Sequence, residues 1–458
     1  MIPTHTLATD LGSTNFKVAL FDSAGERLSE GSQPLPYLVR TNTRAELDPT
    51  AVMECFMACV REALQAVGLP AAAIHRIAFT SQAQTFCVCD EAGGPLGPFL
   101  SWTDARAEEE AKFLRDELGS DYHAHTGWPR LAPSHTISMA LWWKKNHGLR
   151  PTDRIVLLPS FVAMQLGAAH TSDNNLAPMS GFFSNRQRTW WDRALTASGI
   201  ASSQLGDVVP MGQPVPTSSR SRPDGFSSGL EIVFAGNDHT AGAFGCGCAP
   251  QRPVLTLGTA GVLYRLAGPD LGPFSEASLW GPFPGGGYYD LVVISHACSA
   301  LDWADSFLFG TVDSPRFAAR AGQAIPTQNL PFFYPNRWGT DEAWQGEGTP
   351  EEKAFSTMEG ILFALLHAAG GEAFQPPQEM IVLGGGGRLE FWRQMAADIF
   401  RCPLQPGAAD GLTGAARLAH CPVPTPPMAT NSSCSPRPQQ SEFFRTRFPA
   451  WRKGLEAV

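Results

Sequence analysis

Four short segments of this chain hold residues whose types and spacing suit phosphate chemistry. DLGSTNFK at 10–17 sets Asp10 before a Gly12-Ser13-Thr14 turn, with Asn15 and Lys17 just beyond it. LTLGTAG at 255–261 repeats the arrangement around Gly258 and Thr259. VLGGGGRLEFWRQMAAD at 382–398 runs an apolar stretch into Gly384, Gly385, Gly386 and Gly387. AGNDHTAG at 235–242 carries Asp238 and His239 ahead of a short helical run, Thr240 to Phe244. Glycine turns and helix N-termini present backbone N–H groups, which hold phosphate oxygens without needing a positively charged surface. Any one such turn serves backbone geometry more often than ligand binding, and Asp238 alone reads as a helix cap. The set together is hard to reach by chance.

The elements that must position these residues follow from local pattern. Thr6 to Asp10 and Phe16 to Phe21 read as two strands joined by the first glycine turn, with a second turn at 23–26. Asp48 before Pro49 is an N-cap and first-turn pair for a helix running from Ala51 to Val67, after which Ile77 to Cys89 reads as one strand. The aromatic-rich middle, 102–192, is helical in pattern, and 210–229 reads as a surface connection before a strand at Glu231 to Ala235. The segment 6–14 is echoed by 254–260, strand and Gly-Ser/Thr turn alike, about half the chain later, as a duplicated domain would give. We therefore divide the chain into domains 1–230 and 231–458. Met380 to Leu383 is a strand feeding the GGGG turn, Leu389 to Phe400 a helix, 421–441 a mobile loop or insertion, and about 442–455 a closing helix.

Composition bounds the partners. At 458 residues the chain exceeds one ordinary core, and 43% hydrophobic with 17% charged residues is globular. A net charge of −9 with no basic run argues against nucleic acid. The ten cysteines are scattered, and the pairs Cys87/Cys89 and Cys246/Cys248 lack the second pair of a structural zinc site, so reduced core thiols are expected. No stretch reaches the roughly 20 apolar residues of a membrane span. The expectation is a cytoplasmic protein with no membrane partner. No early G-x-G-x-x-G and no Walker motif is present, which excludes a glycine-rich dehydrogenase and a P-loop.

On the segments quoted, nearly the whole chain resembles the FGGY carbohydrate kinases of the actin-like ATPase superfamily, which holds glycerol, xylulose and gluconate kinases. The resemblance implies an α/β fold of two actin-like (ribonuclease H-like) domains, each a mixed five-stranded sheet flanked by helices, with a cleft between them. It implies ATP and Mg2+ as cofactors, a small sugar or polyol as substrate, and room for a homodimer. The segments 10–17 and 255–261 then look like the two phosphate motifs, and 382–398 like the adenosine motif. ATP would meet Gly12, Ser13, Thr14, Asn15, Lys17, Gly258, Thr259 and Gly384 to Gly387; Asp10 is similar to the aspartate that holds Mg2+ through water. Asp238 matches the general base, which takes the proton of the attacking hydroxyl. Domain closure about a hinge near 230–240 would exclude water.

TSQAQT at 80–85 and SWTDAR at 101–106 resemble the family's sugar-facing segments, making Gln82, Gln84, Trp102, Asp104 and His239 candidate substrate contacts, with Arg106 supporting Asp104. Four departures bear on substrate identity: Gln84 where histidine or glutamate is usual, Ala260 for serine, Ser138 or Met139 for lysine, and an unusual 335–340. The alternative is a non-catalytic nucleotide- or sugar-binding regulator that retains the fold.

Overall fold

The computed structural model describes residues 4–41, 43–218, 225–268, 274–407, 410–421 and 433–456. They group into two compact units. The first comprises Met1–Gly245, Pro269–Tyr288 and Ala409–Thr425; the second comprises Cys246–Gly268, Tyr289–Ala408 and Pro426–Val458. Residues 231–245, placed by sequence in the second half, group with the first because their strand is hydrogen-bonded into the first sheet.

In the first unit the chain forms β1 (His5–Leu11), β2 (Asn15–Phe21), β3 (Arg27–Pro34), β4 (Ile74–Ser81), β5 (Pro214–Pro216) and β6 (Glu231–Asn237). They line up as β5-β6-β4-β1-β2-β3. Strands β1, β2 and β3 form an antiparallel meander, whereas β4 and β6 run parallel to β1. The expected five strands are therefore present, with β5 added at the edge, where its two prolines need donate no ladder bond. One row of the sheet is in register and small: Ala19 faces Ala8, Ala8 faces Ala78, and Ala78 faces Val233. That row lets the helix Gly411–Leu418 pack closely through Leu412, Ala415 and Ala416. The large residues Leu7, Leu11, Val18 and Phe79 belong to the core that takes the helix Pro49–Val67. Asp48 caps that helix, its Oδ1 accepting from Thr50 N and Ala51 N at 2.8 and 3.0 Å.

The strand expected from Ile77 to Cys89 is two strands in two sheets. β4 stops at Ser81, and Phe86–Cys89 pairs instead with Phe99–Leu100 and Arg154–Leu157. The break is backbone-driven, since Gln84 takes a left-handed φ of 69° that no strand tolerates.

The second unit forms β7 (Val254–Leu257), β8 (Gly261–Ala267), β9 (Tyr288–Ile294), β10 (Met380–Leu383) and β11 (Leu404–Pro406), ordered β9-β8-β7-β10-β11. The order matches β3-β2-β1-β4-β6, so the repeat read from sequence is a repeat of sheet topology. The closing helix, Pro438–Glu456, starts earlier than expected and buries Phe444, Phe448 and Trp451. Most of the loop read at 421–441 lies outside the described residues. The ten cysteines form no disulfide, and nine of them are buried. Among the described residues no helix is long and apolar enough to cross a membrane.

Candidate active site

Three neighbouring parallel strands of the first unit end together. Asp10 pairs with Thr80, Leu11 with Ser81, and Ser81 with Asn237. The chain therefore delivers Asp10, Gln82 and Asp238 to one end of the sheet, the carboxyl end where open α/β sheets place their ligands.

The first glycine turn is held by its carbonyls. Gly12 O accepts from Gln82 Nε2 at 3.2 Å, Ser13 O from the Tyr37 hydroxyl at 3.0 Å, and Thr14 O from Leu35 N at 2.8 Å. The three carbonyls of the turn are thereby fixed by partners from outside the hairpin, and backbone N–H groups of a turn held in this way can serve anions. Lys17 lies directly across the hairpin from Asp10.

Asp10 is unusual. Its Oδ1 is shut off from solvent and accepts no hydrogen bond among the described residues. Burial first, then the charge of Asp238, raise its pKa from 3.8 to about 7 against the opposing Lys17, with a further upward push from Asp410. A buried acceptor without a donor, forced toward protonation by neighbouring carboxylates, fits a cation. Among the described residues no three ligating side chains converge, so such a cation would draw most ligands from water and phosphate, the habit of Mg2+.

Asp238 starts the helix Asp238–Gly245 but does not cap it. Asn237 does, its Oδ1 accepting from Thr240 N at 2.8 Å. Asp238 is left exposed, its Oδ1 accepting from its neighbour His239 N at 2.9 Å.

In the second unit the turn after β7 is held the same way: Gly258 O accepts from Cys298 N and Thr259 O from Ala297 N, both at 2.9 Å. These donors lie at the start of the helix Cys298–Phe309. Strands β7 and β10 are parallel with Thr256 facing Leu383, so the Gly258 turn and the GGGG turn leave the sheet side by side. Gly384 has φ 85°, and a Cβ there would lie 2.4 Å from Leu257 O; a Cβ on Gly385 would meet nothing within 4 Å.

Residues 5–245 match the family model described as the FGGY family of carbohydrate kinases, N-terminal domain. The chain belongs to the FGGY family of carbohydrate kinases. It is a sugar or polyol kinase, an ATP-binding transferase. It is 26% identical over 450 residues to the xylulose kinase of Klebsiella pneumoniae, covering 91% of this chain and 90% of that protein. It is also 26% identical over 454 residues to a glycerol kinase of Citrifermentans bemidjiense, covering 91% and 89%. Its two-domain actin-like α/β fold is shared with the ligand-bound xylulose kinase of Lactobacillus acidophilus, at a TM-score of 0.87 and 19% identity over 99% of this chain and 98% of that one. Plasmodium falciparum glycerol kinase with ADP gives a TM-score of 0.85 at 16% identity over the same shares.

The substrate candidates of this FGGY kinase separate by what their polar atoms already do. Trp102 and His239 are exposed. Gln82 is buried and braces Gly12, with its Oε1 unpartnered among the described residues. Gln84 departs from expectation: its Oε1 accepts from Thr136 N and the Thr136 hydroxyl at 2.8 and 3.0 Å, and its Nε2 donates to Met179 O. It anchors the helix Thr136–His147 from its buried position and has little left to offer a sugar. Asp104 departs likewise. It is fully buried, and its two oxygens accept from Ala45 N and the Arg106 N, Nε and Nη2 groups. Asp410 escaped the sequence reading. It caps the helix Gly411–Leu418 and pairs with Arg27, and only its D-G-L-T cap pattern could have flagged it.

Proposed function

We propose that this FGGY kinase transfers the terminal phosphoryl group of ATP to one hydroxyl of a small ketose or polyol, with Asp238 as general base. The observation that carries this reading is that Asn237 caps the helix. Asp238 is thereby released from the commonest duty of an aspartate at that position. An exposed carboxylate at the carboxyl end of the sheet is free to take a proton. In the step proposed, the hydroxyl oxygen bonds to the γ-phosphorus as the bond to the β-phosphate oxygen breaks, the proton passes to Asp238 and ADP leaves.

Gly12, Ser13, Thr14, Asn15 and Lys17 would hold phosphate oxygens from the first unit; Gly258, Thr259 and Gly384 to Gly387 are the counterparts in the second. Asp10 would hold Mg2+ through water. That ion, when bound, neutralises phosphate charge and relieves the unfavourable ionisation of Asp10. Trp102 and His239 are the side chains we assign to substrate contact, and Gln82 to holding the first turn. The relatives named xylulose and glycerol kinase make ketoses and polyols the acceptors to try first.

The test is release of ADP from ATP and Mg2+ across a panel of ketoses and polyols, for the native chain and Asp238→Asn. Acceptor-dependent release that the substitution abolishes while ATP affinity holds is the expected result. Turnover retained by Asp238→Asn would reassign the base, and bound ATP with no release on any acceptor would favour a non-catalytic regulator.

A further inference from the structure

The turn that carries Asp238 is gripped from outside by one amide. Asn175, 1% exposed, accepts at Oδ1 from Asn237 N at 3.0 Å and donates from Nδ2 to the Thr240 hydroxyl at 3.2 Å. It thus fixes the residue before Asp238 and the residue two after it, although 62 and 65 positions away in sequence. The fit is close, because Gly236 has φ 72° and a Cβ there would lie 3.0 Å from Asn175 Oδ1 and 2.8 Å from Met211 Sδ.

Asn175 is itself held. Asp173 ends the short strand Thr171–Asp173, which pairs in parallel with Asp207–Val209. Fully buried, it accepts at Oδ1 from Asn175 N at 2.7 Å and Leu176 N at 2.8 Å. The neighbouring Asn174 accepts from Met211 N at 3.0 Å, pinning the same loop from the other side. A continuous chain of hydrogen bonds therefore runs from a buried carboxylate through Asn175 to the backbone N–H of Asn237, just before Asp238, and to the side-chain hydroxyl of Thr240, two residues after it. Asp238 takes no further hydrogen bond among the described residues, so its aim is set by its backbone and hence by this chain.

We infer that Asn175, oriented by Asp173, is the positioning residue that aims Asp238 at the acceptor hydroxyl. The inference rests on the reading of Asp238 as base. A reacting group displaced by about 1 Å can lose roughly a hundredfold in rate. A binding contact would change KM; an aiming contact changes kcat.

The experiment compares Asn175→Ala, Asn175→Asp and Asp238→Asn with the native chain on whichever acceptor supports turnover. Asn175→Ala should lower kcat roughly tenfold or more while both KM values stay within about twofold. Asn175→Asp keeps the acceptor for Asn237 N and should restore most of that loss. Should Asn175→Ala misfold, Thr240→Val, which removes only the hydroxyl at the far end, should still lower kcat with KM unmoved. Native kcat in Asn175→Ala, or in Thr240→Val where that variant stands in, overturns the positioning role; a loss that Asn175→Asp does not restore overturns it too. If Asp238→Asn is dead while Asn175→Ala runs at full rate, only the positioning role falls. If Asp238→Asn is active, the base assignment itself has failed.

Discussion

Asp10 and Asp238 stand at the ends of two strands that flank β4, and the charge of Asp238 ranks after burial among the influences that raise the Asp10 pKa to about 7. The two proposed roles, cation holder and base, therefore share one electrostatic field. The folded chain resists carrying both as bare anions.

That field has a sign that can be measured. The Asp10 carboxyl titrates near 3.8 when unfolded and about 7 when folded, so the folded state binds the proton more tightly. The resulting stabilisation is complete below 3.8 and is lost as pH rises through about 7. Asp10→Asn should leave Tm unchanged near the acid end of that window and raise it progressively above. Added Mg2+ should raise the Tm of the native chain above that window and do little for Asp10→Asn. A Tm difference independent of pH would remove Asp10 from this role.

Neighbouring residues on the 237–238 turn should separate stability from chemistry. Asn237→Ala removes the cap and should cost about 1 kcal/mol in urea unfolding. Asp238→Ala removes no cap and should leave the urea midpoint close to native while abolishing turnover. Equal destabilisation by both would mean that Asp238 shares the capping.

Gly384 and Gly385 adjoin in sequence but not in constraint. Gly384→Ala meets the Leu257 carbonyl and a positive φ, so it should unfold earlier in urea by about 1 kcal/mol or more. Gly385→Ala meets open space and should keep its midpoint while weakening ATP, as read by titration of a fluorescent nucleotide analogue. Unchanged nucleotide affinity in a folded Gly385→Ala would take that residue out of the ATP site.

Gln84→Ala should behave as a core lesion. It leaves Thr136 N without its acceptor at a buried helix start, at a cost of about 1–3 kcal/mol. A lowered Tm with an unchanged sugar KM is expected in thermal melts and steady-state kinetics. The reverse pattern would return Gln84 to the substrate contacts.

Arg447 and Glu359 form a buried pair in the second unit, joined at 2.8 Å through both Nε and Nη2. Burial raises the Glu359 carboxyl despite Arg447, so the pair depends on both partners. Arg447→Met alone should destabilise by roughly 3–5 kcal/mol, and adding Glu359→Gln should recover part of it. A double variant no better than the single would show that the remaining Arg447 bonds, to the carbonyls of 327–331, dominate.

Local chemistry in the sequence was enough to determine the glycine turns, the Asp48 cap, the duplicated hairpins and the α/β class, because each depends on residues within a few positions of one another. The likeness of the segments 10–17, 255–261 and 382–398 to the family's motifs was equally local, each being carried by adjoining residues. What only the tertiary structure decided depends on partners far apart in the chain: that Gln84 turns its amide into a helix start, that Asp104 is consumed by Ala45 and Arg106, and that Asp410 joins the field around Asp10. Which of Asn237 and Asp238 caps the helix was equally illegible, since both are good capping residues. The fold gives the cap to Asn237, on a turn whose Asn237 N–H is held by Asn175 from 62 residues away, a partner no local pattern could reveal.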